Sequence, residues 1–212
     1  MKVTVAHQFE DYEQQQESAT LGMWIFLATE ILFFGGMFLG YTVYRTMYHE
    51  AFGEASRRLG IVLGTINTGV LLCSSLTMAM SVHEVRLGNR KTAAWLLIAT
   101  MALGAGFLGI KFYEYHQKYE EHLIPGPSFI WDGQDAKHAP LFFLFYFIMT
   151  GMHAVHMIIG IVMLAILLVL TLRGKINSVY YSPVELGGLY WHFVDIVWVF
   201  LFPLLYLVER FS

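Results

Sequence analysis

Charged residues are scarce in this chain, and their scarcity excludes an ordinary water-soluble fold. Asp, Glu, Lys and Arg make up 14% of the 212 residues, whereas soluble domains carry about 25%. Hydrophobic residues account for 57%, and they fall into five uninterrupted runs, each near the ~20 residues that cross a bilayer. The sequence therefore predicts an all-α, polytopic membrane protein, a helical bundle with five transmembrane helices.

Cysteine and basic clusters are also lacking. Cys73 is the only cysteine, which excludes an internal disulfide, a zinc knuckle or a copper-thiolate pair. The net charge is -3, and no basic run with interleaved aromatics follows the pattern of a nucleic-acid partner. A glycine-rich phosphate loop, a CxxC pair, an HExxH motif and a nucleophile elbow are all missing. We therefore expect no catalytic residue in this chain.

The predicted organisation is a polar N-terminal segment, residues 1–20, followed by a five-helix membrane domain, residues 21–212. The spans are predicted at about 21–44, 59–82, 92–116, 139–172 and 186–208. An odd number of spans places the termini on opposite sides. Lys and Arg in the short second and fourth loops favour a cytoplasmic N-terminus and a periplasmic C-terminus.

One acidic residue, Glu30, lies near the centre of the first span. An ionised carboxylate there costs at least about 2.5 kcal/mol, so Glu30 must be neutral, paired or hydrated. It is either a proton-linked, channel-lining acid or a protonated carboxyl bonded to a neighbouring helix. His153 and His156 share one face of the fourth span with Thr150 and Gly160. We predict a hydrogen bond from Glu30 to His156 rather than His153, because burying the two groups together satisfies both.

Metal or haem ligation is the alternative role for the two histidines of the fourth span. A bis-histidine haem needs imidazoles opposed across two helices, and a copper or zinc site needs three or four ligands. Since one pair three residues apart meets neither requirement, no metal site is predicted.

The fifth span carries a polar stripe, with Glu185, His192 and Asp195 on one face. Together with Glu30, His153 and His156 these residues form a predicted intramembrane polar network, which either fixes helix packing or conducts protons. Trp191 and Trp198, which flank the stripe, are interpreted as packing residues rather than as part of a cofactor site. Candidates for contact with lipid headgroups are Arg173, Lys175 and Trp191.

At the end of the third span, Lys111 and Glu114 lie three residues apart. This spacing predicts a local ion pair. The long Lys111 side chain is expected to reach toward the membrane surface.

Several segments, taken together, resemble subunit III of the haem-copper oxidases. They occur in the family's order and comprise LGMWIFLATEILFFGGMF, TINTGVLL, HEVRLGNRK, the EY at 114–115, TGMHAVHMIIG and GLYWHFVDIVWVFLFPLLYL. In this resemblance Glu30 corresponds to the family's carbodiimide-reactive glutamate. Many members have seven helices, and this sequence is similar to the last five, as in short bacterial forms.

The resemblance implies a non-catalytic subunit of a cytochrome-c-oxidase-type terminal oxidase of aerobic respiration, in a bacterial plasma membrane. The implied partners are oxidase subunits I and II, phospholipids and a respiratory supercomplex. Haem and copper belong to the catalytic partner and not to this chain, which stabilises that partner and supports its proton uptake. The alternatives are subunit III of a quinol oxidase, an accessory protein of nitric oxide reductase, and a stand-alone proton channel or transporter.

Overall fold

Residues 7–133 and 135–207 are described by a computed structural model, and over these residues the regular structure is helical. The helices are α1 (Tyr12–Met47), α2 (His49–Arg57), α3 (Ile61–Arg86), α4 (Arg90–Glu120), α5 (Ala139–Leu172) and α6 (Ser182–Phe202), followed by a π-helical turn (Pro203–Leu207). Five of them, all except α2, are long and apolar enough to cross a membrane. The predicted fold class is confirmed, while residue 208 of the predicted fifth span lies outside the described residues.

Helix α1 begins earlier than the apolar run predicts. Asp11 is its N-cap, and its side chain accepts a hydrogen bond of 2.8 Å from the backbone N–H of Gln14. Such a cap satisfies one of the free N–H groups of the first turn. The polar residues before the first span are therefore partly helical. An apolar run indicates which residues lie in the hydrocarbon, whereas an N-cap residue indicates where the helix begins.

The short helix α2 follows α1 directly, and the sequence prediction missed it. Its nine residues, HEAFGEASR, are too few and too polar to produce a span signal. Ala51, Phe52 and Ala55 are nonetheless fully buried, on a face directed at α5 and the π-helical turn. Helix α2 thus covers one end of the bundle.

The four helices α3 to α6 form the body of the bundle, with α3 against α4 and α6, and α5 against α4 and α6. Helix α1 packs at the edge, against α5 and α6. At the centre, Trp191 is fully buried between two glycines. A Cβ atom would lie 2.7 Å from the Trp191 ring at Gly104 and 2.9 Å from it at Gly160, so only glycine allows this close approach.

The connection between α4 and α5 is tied to the end of α2. The Arg58 guanidinium lies 2.6 Å from the carboxylate of Asp132 and 5.5 Å from the Trp131 ring centroid. The hydrogen bond from Arg58 holds the pKa of Asp132 below its ordinary value of 3.8. Because this pKa is lowered, the contact contributes to stability above pH 3.8 and is lost as the pH falls through the folded-state pKa.

Candidate functional site

Glu30 of α1 and His156 of α5 form a hydrogen bond, as the sequence predicted. Glu30 Oε2 lies 3.1 Å from His156 Nε2, and the two side chains are 19% and 11% exposed. His156 Nδ1 lies 2.8 Å from the carbonyl oxygen of Met152 and must donate to it. Nε2 then either accepts a hydrogen bond from a neutral carboxyl or, in an imidazolium, donates one to a carboxylate. In both states the pair is neutral overall and holds one shared proton, which suits its position in hydrocarbon.

The Glu30–His156 pair fixes α1 at the edge of the bundle, so its loss should loosen this helix. Glu30→Leu is expected to destabilise the purified protein by about 1 kcal/mol, the usual scale of interhelical hydrogen bonds in membranes. Glu30→Gln retains a hydrogen-bonding group and should cost less. Denaturation by SDS measures both variants.

Leu32→Ala serves as the control, because Leu32 lies on the lipid-facing side of α1 and is 76% exposed. It should leave the SDS midpoint unchanged. Equal midpoints for Glu30→Leu and Leu32→Ala would contradict a role of the pair in holding α1.

The other residues of the predicted polar network are distributed among separate contacts. His192 Nδ1 lies 2.7 Å from Ser75 Oγ of α3, and Glu185 pairs with Arg86 at the end of α3. His153 is 1% exposed, and neither ring nitrogen has a hydrogen-bond partner. Both carboxyl oxygens of Asp195 are likewise without a hydrogen-bond partner. Their role in packing or proton conduction stays a prediction.

Two aromatic rings enclose His153. The Phe107 centroid lies 5.4 Å from the imidazole centroid in an edge arrangement, and the Trp198 centroid also lies 5.4 Å away. Glu30 bonds His156 and not His153.

The most extensive polar contact in the described bundle surrounds Lys111, and the sequence revealed only part of it. Lys111 Nζ donates to Glu114 Oε2 at 2.9 Å, to the Tyr206 hydroxyl at 2.9 Å and to the Tyr146 hydroxyl at 3.2 Å. The Tyr206 hydroxyl donates to Glu114 Oε1 at 2.7 Å. All three ammonium donors and both carboxylate oxygens therefore have partners. We call these four residues the Lys111 cluster.

The predicted local pairing of Lys111 with Glu114 is confirmed, but the expectation that Lys111 reaches the membrane surface is wrong. The two side chains are only 5% and 1% exposed. The ammonium also lies 4.9 Å from the Tyr146 ring centroid and 5.2 Å from that of Trp198, a cation–π arrangement. Tyrosines of α5 and the π-helical turn, distant in sequence, keep the charge inside.

Of the three predicted headgroup contacts, Trp191 is excluded. Its side chain is fully buried, and its Nε1 donates to Ser74 Oγ at 3.0 Å. The reason is that Trp191 faces the glycines of α4 and α5 rather than the membrane surface. Arg173 and Lys175 are exposed just beyond α5, so their contact with lipid stays a prediction.

No group of three or more His, Cys, Asp or Glu side chains that could hold a metal ion is found among residues 7–133 and 135–207. The Lys111–Glu114 and Glu30–His156 pairs join opposite or complementary charges, as the exclusion of water from hydrocarbon requires. His153 and Asp195 lie outside these pairs.

Five membrane-crossing helices around neutral pairs of ionisable side chains define a polytopic membrane protein with a hydrogen-bonded polar interior. Comparison with known proteins identifies the family to which the chain belongs. Residues 5–209 match the family described as cytochrome c oxidase subunit III. The chain belongs to this family, which provides the third subunit of haem-copper oxidases.

Individual relatives cover nearly the same length. The chain is 35% identical to the protein named quinol oxidase subunit 3 of Bacillus spizizenii, over 92% of this chain and 91% of that protein. It is 34% identical to cytochrome c oxidase subunit 3 of Thermostichus vulcanus, over 97% and 92%. The corresponding protein of Loxodonta africana is 31% identical, over 90% of this chain and 70% of its own length.

Proposed function

We propose that this chain is a non-catalytic subunit of a bacterial terminal oxidase, which stabilises the haem- and copper-bearing subunit I and its neighbour, subunit II. The observation that carries the proposal is the state of the buried ionisable groups. The Lys111 cluster and the Glu30–His156 pair use their polar atoms on each other. Groups satisfied in this way favour a supporting role, with no active site and no bound cofactor in this chain.

The electron donor is proposed to be cytochrome c, and a quinol oxidase is the alternative. Relatives named for each donor are 34% and 35% identical to this chain, so overall identity does not separate them. An accessory role in nitric oxide reductase and a stand-alone proton channel are the remaining candidates.

Support of proton uptake is proposed for the Glu30–His156 pair. It holds one shared proton between two groups that are each partly exposed, on the helix at the edge of the bundle. The shared proton can therefore move between the carboxyl and the imidazole without a net charge arising in hydrocarbon.

Phospholipid headgroups are proposed to lie at the exposed cations Arg173 and Lys175. These residues, with Arg90 and Lys91 at the start of α4, place positive charge at the end of the bundle where α1 begins. Such charge is typical of a cytoplasmic surface, so we assign the N-terminus to the cytoplasm of a bacterium and the C-terminus to the periplasm.

Purification through a tag on this chain, in a mild detergent, tests the proposed function. We expect haem-bearing subunits to co-purify, the complex to consume oxygen, and reduced cytochrome c rather than a quinol to be the donor. The separated chain should carry neither haem nor copper by optical spectra and metal analysis.

Other outcomes of this purification assign the chain differently. Co-purification with a nitric-oxide-reducing complex, or proton flux through liposomes that contain this chain alone, would contradict the oxidase role. Haem or copper bound to the separated chain would contradict the supporting role.

A further inference from the structure

A long apolar groove runs between α1 and α6, and none of the contacts described above accounts for it. Its volume is about 480 Å³. On α1 it extends from Trp24 to Phe38, a length of about 20 Å at 1.5 Å per residue. Its volume is within the range of small-molecule sites, about 300–1,000 Å³. Spread over this length, the volume suits a linear chain rather than a compact ligand.

The lining of the groove is aromatic and carries no formal charge when histidine is neutral. The aromatic side chains are Trp24, Phe34, Phe38, Phe193 and Phe200. His192 lies at one end, where the groove adjoins a second cavity of about 430 Å³ at the membrane surface. The two cavities share His192 and Leu189, so an elongated molecule in the groove would place its head beside the imidazole.

The imidazole of His192 lines both cavities. Nδ1 is engaged by Ser75 Oγ at 2.7 Å, which leaves Nε2 for a ligand. If Ser75 donates to Nδ1, Nε2 carries the proton and can donate to a carbonyl. If Nδ1 donates to Ser75, Nε2 accepts from a hydroxyl. The same side chain thus suits a ring that carries either a carbonyl or a hydroxyl group.

The charges around the second cavity disfavour an anionic head. Arg86 lines this cavity and could bind a phosphate, but it is already paired with Glu185, which lines the same cavity. An anionic headgroup would have to displace that carboxylate and would lie next to it. A neutral head with one or two hydrogen-bonding oxygens avoids this conflict.

We propose that the groove between α1 and α6 binds an isoprenoid quinone or its quinol, with the ring at His192 and the tail along the aromatic wall. The site is a binding site that belongs to this chain. It goes beyond the proposed function and does not depend on which molecule donates electrons to the complex.

The test uses the complex purified through this chain, placed in phosphatidylcholine nanodiscs with a photoreactive azidoquinone that has a decyl tail. After illumination, mass spectrometry of peptides from this chain locates the label. We expect labelled peptides from α1 and α6 at the groove, and excess decylubiquinone should abolish the labelling, whereas excess phosphatidylglycerol should not.

Variants separate the groove from the general lipid surface. Ile196→Trp fills the groove and should reduce labelling to background. Val199→Trp makes the same change on α6 at a residue that is 42% exposed and does not line the groove, so labelling should stay at the wild-type level. His192→Phe should weaken labelling about fivefold, the factor that one hydrogen bond contributes.

Three results would overturn the proposal. They are equal labelling of Ile196→Trp and the wild type, labelling that decylubiquinone fails to block, and displacement of the probe by phosphatidylglycerol, which would identify the occupant as a phospholipid chain. The competition experiment uses the wild-type complex, so it decides the matter even if Ile196→Trp fails to assemble.

Discussion

Replacing Lys111 by methionine is expected to destabilise the protein by about 3–5 kcal/mol, the usual cost of removing one partner of a buried ion pair. Methionine has a similar length and no charge, so it preserves much of the packing. Glu114, only 1% exposed, would then lie in hydrocarbon with the Tyr206 hydroxyl as its remaining partner. The SDS midpoint of the purified chain, together with the yield of the complex, measures this effect.

A double variant separates the cost of an unpaired charge from lost packing. Lys111→Met combined with Glu114→Leu removes both charges and should recover much of the lost stability, because apolar replacements of a buried pair are often neutral. A single variant as stable as the wild type, or a double variant less stable than the single, would show that the Lys111 cluster contributes little to the fold.

The second large effect is expected from Trp191→Ala, at about 3–5 kcal/mol, the range for removal of a buried large aromatic side chain. The substitution leaves a cavity between Gly104 and Gly160, and glycine has no side chain that could move into it. In addition, Ser74 Oγ loses the hydrogen bond from the indole N–H. Trp191→Phe should cost less, since it keeps most of the volume. The measurement is thermal unfolding of the purified protein, detected as loss of native fluorescence or as the onset of aggregation.

The matched control for Trp191 is Trp95→Ala, because Trp95 of α4 is 71% exposed. The same atoms are removed there from the membrane-facing surface of the bundle, so stability should change little. If the two alanine variants lost equal stability, the close packing of Trp191 against the glycines would not be what holds α4, α5 and α6 together.

The membrane-crossing helices could be predicted from the sequence because each apolar run has a physical length requirement. Helix ends were less accurate, as Tyr12 shows, since the N-cap at Asp11 is a local signal outside the apolar run. Helix α2 escaped prediction for a different reason. Its burial comes from contact with α5 and the π-helical turn, and nine residues carry too little periodicity to indicate that contact.

The Glu30–His156 pair of the candidate site could be predicted because an ionisable group in hydrocarbon requires a polar partner. Glu30 needed a partner in hydrocarbon, and His156 was the available one. The partners of Lys111 could not be deduced, because Tyr146 and Tyr206 lie far away in sequence and tyrosine is common in membrane helices. Trp191 was predicted both as a packing residue and as a headgroup contact, since indole rings suit both tight cores and membrane surfaces. Only the positions of Gly104 and Gly160 opposite the ring decide between them.

Helix α2 makes the two faces of this protein unequal. At its end of the bundle Phe52 is fully buried and closes the space between the long helices, whereas the cavity beside Arg86, Glu185 and His192 opens at the other end. We therefore expect water and protons to reach the polar interior from the compartment that the start of α1 faces.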